Sequence, residues 1–302
     1  MKFLITGGTG FIGKSLVAAL VEQNHEAIIF SRSARASDRP KVRFARFDPS
    51  NDESKSEAQE SVEKADVIVN LAGENIGGRR WSAAQKRRIL SSRIDTTRAL
   101  VEMVDKARQK PKVLISASAV GYYGPHGAEK LDESTPPGND FLAEVCETWE
   151  AEALKAEEHG VRVVLLRTGV VFGRGGALKK MLAPFKLFVG GPLGGGKQGV
   201  SWIHIDDLIR GILFVLEKEE IKGAVNAVSP KPVSNKELSK TIGRMLKRPA
   251  FWPVPGVVLK LLLSEQATIV LDGQMVLPKK LQEAGFEFEY NELEKALREI
   301  VQ

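Results

Sequence analysis

Met1-Lys2-Phe3-Leu4-Ile5-Thr6-Gly7-Gly8-Thr9-Gly10-Phe11-Ile12-Gly13 opens the chain. Its apolar run, broken off by glycines, reads as a strand, a tight turn and the start of a helix. A turn that brings backbone amides against a pyrophosphate has no room for Cβ atoms aimed at the ligand, and Gly7 and Gly10 supply that room. Gly13, one turn into the helix, lets helix and strand approach closely, while free N–H groups and the positive end of the helix face the phosphate charge. Leu16, Val17, Leu20 and Val21 fall at helical spacing over residues 12–23, and a second strand over 26–30 completes a βαβ unit. The expected guest is a dinucleotide cradled by Gly7, Thr9, Gly10, Phe11, Ile12 and Gly13.

Past the second strand comes Ser31-Arg32-Ser33-Ala34-Arg35. An acid at this strand end would bond the adenosine ribose and repel a phosphate. None is present, and Ser31 with Arg32 offers a hydroxyl and a guanidinium fork, so NADP(H) is expected rather than NAD. Asp48 follows a third strand (42–46), where adenine is expected. A buried strand over 66–73 ends in Leu71, Ala72 and Gly73, small enough for the dinucleotide to lie against backbone.

Ser82 is the expected N-cap of a helix running to about Lys110. A fifth strand (113–116) leads into Ser116-Ala117-Ser118-Ala119-Val120-Gly121-Tyr122-Tyr123-Gly124, a hydroxyl-rich strand end of the kind that positions chemistry in open parallel sheets. A Pro- and Gly-rich loop (125–140), a helix (141–159) stopped by Gly160 and a sixth strand (162–167) follow. This alternation predicts an α/β fold with a doubly wound parallel sheet. Later segments are looser: glycine-rich 173–199 around a helix at 178–188, a late strand at 223–228, and helices at 234–246, 257–263 and 293–301. A dinucleotide-binding Rossmann domain over 1–230 and a small, mainly helical C-terminal domain over 231–302 are expected, with 174–200 contributing to the second.

The 302 residues suit one large or two modest domains, and 43% hydrophobic with 27% charged residues is ordinary for a soluble protein. The N-terminus lacks the plan of a signal peptide, and the longest apolar run, interrupted by Lys260, is too short to span a bilayer. A cytoplasmic protein without membrane or metal is expected, because the single Cys146 and histidines at 25, 126, 159 and 204 form no disulfide and no zinc spacing. The net charge of +6 is modest, and Arg79, Arg80, Lys86, Arg87, Arg88 and Arg93 suit nucleotide phosphates or a solvated face better than nucleic acid.

Residues 6–13, Asn70-Leu71-Ala72-Gly73, Ser116 to Gly124, Leu166-Arg167-Thr168-Gly169-Val170-Val171-Phe172-Gly173 and Trp202-Ile203-His204-Ile205-Asp206-Asp207 together resemble the extended short-chain dehydrogenase/reductase superfamily, in its NAD-dependent epimerase/dehydratase group. More narrowly, residues 70–76, Leu271-Asp272-Gly273-Gln274 and Leu277-Pro278-Lys279-Lys280-Leu281 are similar to its atypical "epimerase family protein" branch, with a DUF1731-type C-terminal domain. The resemblance implies an NADP(H)-binding Rossmann fold with cofactor contacts from Ser116 and Arg167. It also implies one from Arg93, which takes the place of an Asn near the nicotinamide and suits an anionic substrate. Ser118 matches the family's strand-five hydroxyl, with Ser116 as runner-up.

The superfamily normally pairs a Tyr with a Lys four residues on, the Lys lowering the Tyr pKa for proton exchange during hydride transfer. The only tyrosines are 122, 123 and 290, and four residues beyond them stand His126, Gly127 and Glu294. The corresponding helix positions are Leu142 and Cys146. In an enzyme, Ser118 would orient the substrate oxygen and Tyr122 or Tyr123 would serve as acid/base, with Glu74 and Glu144 weaker candidates. The other reading is a protein that senses NADP(H) or scaffolds a partner without turnover. Residues 190–199 and Trp202 are expected to line the pocket, and Leu90, Ile94, Leu142 and Val145 permit a homodimer through the two long helices.

Overall fold

In the computed structural model, which describes residues 1–33 and 36–301, β1 (Lys2–Thr6) buries Phe3, Leu4 and Ile5 alike. A parallel strand with helices on both faces has no wet side. Phe3 and Ile5 join Leu16 and Leu20 of α1 (Phe11–Glu22) in one core, and Leu4 joins Leu100 and Val104 in a second core on the opposite face. β2 (Glu26–Ser31) and β3 (Val42–Arg46) extend the sheet to one side of β1. After α2 (Asp52–Glu63), the chain crosses over to lay β4 (Val67–Asn70) on the other side.

From β4 the chain runs through α3 (Ala83–Lys106), β5 (Val113–Ala119), the short β6 (Lys130–Leu131), α4 (Phe141–Leu154) and β7 (Arg162–Thr168). Next come β8 (Val170–Phe172), α5 (Gly176–Lys186), β9 (Gly199–Val200), β10 (Trp202–His204), α6 (Ile205–Glu217) and β11 (Gly223–Ala227). β12 (Val233–Ser234), α7 (Asn235–Leu246), α8 (Gly256–Leu263), α9 (Thr268–Leu271), β13 (Met275–Val276), α10 (Lys279–Glu283) and α11 (Leu293–Val301) complete it. The main sheet has seven parallel strands in the order β11-β7-β5-β4-β1-β2-β3. The order reverses between β1 and β4, which opens a crevice at their C-terminal ends where doubly wound sheets bind ligands.

The expected α/β architecture is present, with differences at element ends. The Ser82 hydroxyl accepts the Gln85 amide at 3.2 Å, as a cap for α3 should. That helix stops at Lys106 rather than near Lys110, whose ammonium instead bonds the Val104 and Asp105 carbonyls at 2.9 and 2.8 Å. The helix expected over 141–159 is α-helical to Leu154 and then tightens to a 3₁₀ turn over Lys155–His159, ended by Gly160 at φ +78°.

Phe172, Leu178, Phe185, Leu238, Ile242, Leu297 and Ile300 form a third core linking α5, α7 and α11. Trp202 belongs to it as well: it is fully buried, stacks on Phe172 at 5.5 Å and donates its indole N–H to the Lys231 carbonyl. This corrects the expectation that Trp202 lines a pocket. Ile94 and Val145 are likewise buried within the chain, so packing between α3 and α4 already uses positions expected for a dimer face. Among the described residues, no helix is long and apolar enough to cross a membrane, and no group of three or more His, Cys, Asp or Glu could hold a metal.

Candidate functional site

Three stretches of backbone meet at the crevice. Gly7 has φ +68°, and a Cβ there would lie 2.6 Å from the Leu71 carbonyl oxygen. A Cβ at Gly13 would lie 2.3 Å from the Gly7 carbonyl oxygen. The β1 turn, the end of β4 and the first turn of α1 therefore touch with no side chain between them. Gly10 closes the turn by donating its amide to the Gly7 carbonyl at 2.9 Å, and it is the N-cap of α1 without any side-chain cap. No acid occupies the first turn of α1, so its leading amides keep their capacity for an anion. Phe11 leaves this turn with its ring against Gly173, Gly175 and Gly176.

Thr6 anchors the floor. Its hydroxyl donates to Asn70 Oδ1 at 2.6 Å and accepts the Ala72 amide at 3.2 Å. Asn70 in turn donates to Thr97 Oγ1 at 2.8 Å, which also accepts the Trp149 indole N–H at 2.9 Å. Ser116 is fully buried within this floor, 3.4 Å from Asn70 Nδ2. It supports the strand tip from beneath, a correction to its expected place against the cofactor.

At the end of β2, Arg32 is exposed and Ser31 accepts the Phe47 amide at 2.9 Å through its carbonyl. Ala34 and Arg35, which close that segment, lie outside the described residues. The Asp48 carboxyl is held below the usual carboxylate range, chiefly by the Ser50 hydroxyl and amide and further by the charges of Arg32 and Arg46. Arg93 lies across Gly73, where an added Cβ would come within 3.0 Å of its guanidinium carbon. It donates to the Glu74 and Ile89 carbonyls at 3.1 and 2.9 Å and lies over the Trp149 ring. Burial lowers its pKa, with Cys146 and Glu74 acting against that.

The tips of β5 and β7 are organised differently. Arg167 is 4% exposed and makes a two-pronged ion pair with Glu150, Nε to Oε1 and Nη2 to Oε2 both at 2.8 Å. Its Nη1 donates to Tyr123 Oη at 3.1 Å, and that hydroxyl donates to Asn226 Oδ1 at 2.7 Å. Ser118 donates to Glu150 Oε1 at 2.6 Å. Three expectations are corrected here. Arg167 spends its donors inside the protein and not on a cofactor, and Ser118 gives its hydroxyl to Glu150 and not to a substrate. Tyr123 is fully buried, and burial pushes its pKa up to about 12, which ill suits an acid/base near neutrality.

Tyr122 differs, being only half-buried, with the Arg167 guanidinium stacked 3.4 Å from its ring centre. Of the weaker candidates, Glu144 is exposed in the first turn of α4, and Glu74 accepts from Gln85 Nε2 at 3.2 Å. Cys146 is buried, and burial with the Glu150 charge raises its thiol to about 11, far from a reactive thiolate. Glu150 is the residue that sequence reasoning missed. Its signal was the helical spacing Leu142, Cys146, Glu150, which puts a carboxylate on the face where the superfamily keeps its Tyr and Lys.

A doubly wound parallel sheet with an uncapped, glycine-lined helix start at its switch point defines a dinucleotide-binding Rossmann protein. The chain belongs to the NAD-dependent epimerase/dehydratase family, whose model matches residues 3–227, and residues 254–300 match a domain of unknown function, DUF1731. It is 44% identical to the epimerase family protein SDR39U1 homolog, chloroplastic, of Arabidopsis thaliana, a match covering 100% of this chain and 87% of that one. It is 40% identical to the epimerase family protein YfhF of Bacillus subtilis, covering 100% and 98%. The crystal structure of the human epimerase family protein SDR39U1 with NADPH superposes with a TM-score of 0.87 at 36% identity, covering 99% of both chains.

Proposed function

We propose that this is a cytoplasmic NADP(H)-binding oxidoreductase or epimerase acting on a small carbonyl, hydroxyl or sugar-nucleotide substrate, without the superfamily's Tyr and Lys pair. The observation that carries the reading is the joint of Gly7, Gly13 and Leu71, whose backbones pack too closely to admit any Cβ, beneath the uncapped amides of α1. Gly7, Thr9, Gly10, Phe11, Ile12 and Gly13 hold the pyrophosphate, Leu71, Ala72 and Gly73 the backbone-lined wall, and Ser31, Arg32 and Asp48 the adenosine end. The NADPH bound to the human relative supports this choice of cofactor.

When bound, NADP(H) supplies or accepts a hydride. Arg93, which has no carboxylate ion pair among the described residues, attracts an anionic substrate to the Gly73 side of the site. Tyr122 exchanges a proton at Oη with the substrate oxygen, and stacking on Arg167 fixes its ring.

Titration calorimetry tests the cradle. Arg32→Ala should weaken NADPH about tenfold and leave NADH nearly unchanged, as expected for one charge-assisted contact. Absence of heat from either nucleotide with the wild-type protein would sink the reading. Stopped-flow absorbance of bound NADPH against carbonyl compounds and sugar nucleotides, with Tyr122→Phe alongside, tests turnover. Tight NADPH binding with no oxidation by any compound would put the cofactor-sensing reading in its place.

A further inference from the structure

Nine of the eleven large hydrophobic residues most exposed to solvent fall in two short segments: Leu187, Phe188 and Val189, then Phe251, Trp252, Val257, Val258, Leu261 and Leu262. The two are parts of one surface. Gly194 donates its amide to the Val254 carbonyl, Val254 donates its own to Pro192, and the Gly191 backbone lies directly against the Trp252 carbonyl. The Arg248 guanidinium sits 4.1 Å over the Phe188 ring, and Phe251 and Trp252 are neighbours at 5.5 Å. α8 has no buried residue at all, although seven of its eight side-chain positions are Val, Leu or Lys and the eighth is Gly256. A soluble monomer rarely leaves so continuous an apolar area in water.

The two segments themselves carry charge of one sign, with Asp272 beside Lys260 at their edge. Residues 186–197 and 247–264 contain Lys186, Lys197, Lys247, Arg248 and Lys260 and not one Asp or Glu, in a chain with 44 basic and 38 acidic residues. Glu265, next along the chain, is already paired with Lys86. A second copy of this chain, brought up by the same face, would set like charges against each other. An anionic surface meets them favourably, and Trp and Phe among Lys and Arg are the residues that settle at the headgroup level of a bilayer. With eight residues, α8 reaches about 12 Å along its axis, enough to lie in an interface and too short to span one.

We infer that this face, built from the loop after α5 and from α8 with the loop before it, docks the protein peripherally on an anionic phospholipid surface. The apolar side chains enter the interface and the five cations contact phosphodiester headgroups. The occupant is bilayer rather than protein because the patch joins five cations within its own two segments to exposed aromatic side chains on the loop before α8, a helix that buries none of its residues.

The chain carries its own reporter. Trp81, Trp149 and Trp202 are buried, whereas Trp252 is 68% exposed, so a blue shift of tryptophan emission on adding vesicles reads out insertion of this face. Full-length protein is to be floated with phosphatidylcholine vesicles, with and without about 30% phosphatidylglycerol, between about 0.1 M and 1 M salt. Retention and a blue shift are expected on the anionic vesicles, with binding at least about tenfold weaker on neutral vesicles or at high salt.

Phe251→Ser with Leu261→Ser, and separately Lys247→Glu with Arg248→Glu, should each lower anionic-vesicle binding about tenfold or more while NADPH affinity stays unchanged. Should a variant lose its fold, the lipid and salt dependence of the wild-type protein still decides the matter. Failure to bind either vesicle, binding indifferent to phosphatidylglycerol, or a salt-resistant dimer broken by Leu261→Ser would each overturn the inference.

Discussion

The cradle at β1 and the cluster at the tips of β5 and β7 are both polar and both lie at C-terminal strand ends, yet they treat their hydrogen-bonding groups in opposite ways. Around Gly7, Gly10 and Gly13, the backbone is packed so closely that no side chain intervenes, and the leading amides of α1 keep their donors for a guest. At Glu150 and Arg167, the donors and acceptors satisfy one another, and Ser118, Tyr123 and Asn226 are drawn into the same closed set. One region is equipped to bind, and the other holds the strand tips and α4 together. A hydroxyl at a strand end is therefore not evidence of chemistry until its partner is known.

Breaking the closed set should give the largest effect. Glu150→Ala leaves the Arg167 cation buried and alone, so a loss of about 3–5 kcal/mol is expected in denaturant unfolding. Glu150→Leu combined with Arg167→Met should recover most of it, because the pair is replaced without leaving an unpaired charge. If the single variant costs as little as a surface substitution, the contrast between the regions fails.

The cradle should respond to volume rather than charge. Gly13→Ala forces a Cβ against the Gly7 carbonyl, for which about 1–3 kcal/mol of strain is expected. NADPH affinity should fall with it in calorimetry, whereas Glu150→Ala should change affinity less than it changes stability.

The smallest effect is a titration. Asp132 is held at about 2 by the hydroxyl and amide of Ser134 and by Lys279, so its folded-state pKa lies below its unfolded value. Its contribution is fully present above about pH 4 and is lost as the pH falls toward 2. Asp132→Asn should flatten the acid limb of thermal stability slightly and leave the neutral range untouched.

Most of the cradle was legible in the sequence because its turn and helix start lie within thirteen consecutive residues, and glycine has few other reasons to recur at that spacing. The Ser82 cap and the bounds of β3 were legible for the same local reason. Glu150 was not, since its partners Ser118 and Arg167 stand 32 and 17 residues away on two different strands. Arg167 and Ser116 were placed by motif, and a motif fixes the position of a side chain on a strand without saying which face receives it. The run at 257–263 was legible as a helix but its exposure was not, for a related reason: composition shows that a helix is apolar, and only the fold shows whether anything covers it.

The glycine joint has one more consequence. Because Gly13 rests on the Gly7 carbonyl and Gly7 on that of Leu71, the turn after β1, the start of α1 and the distant end of β4 form one close-packed knuckle. A nucleotide arriving there finds its seat already in final shape. The disorder that pliable sites surrender when they wrap a visitor has been surrendered here once, when the polypeptide folded.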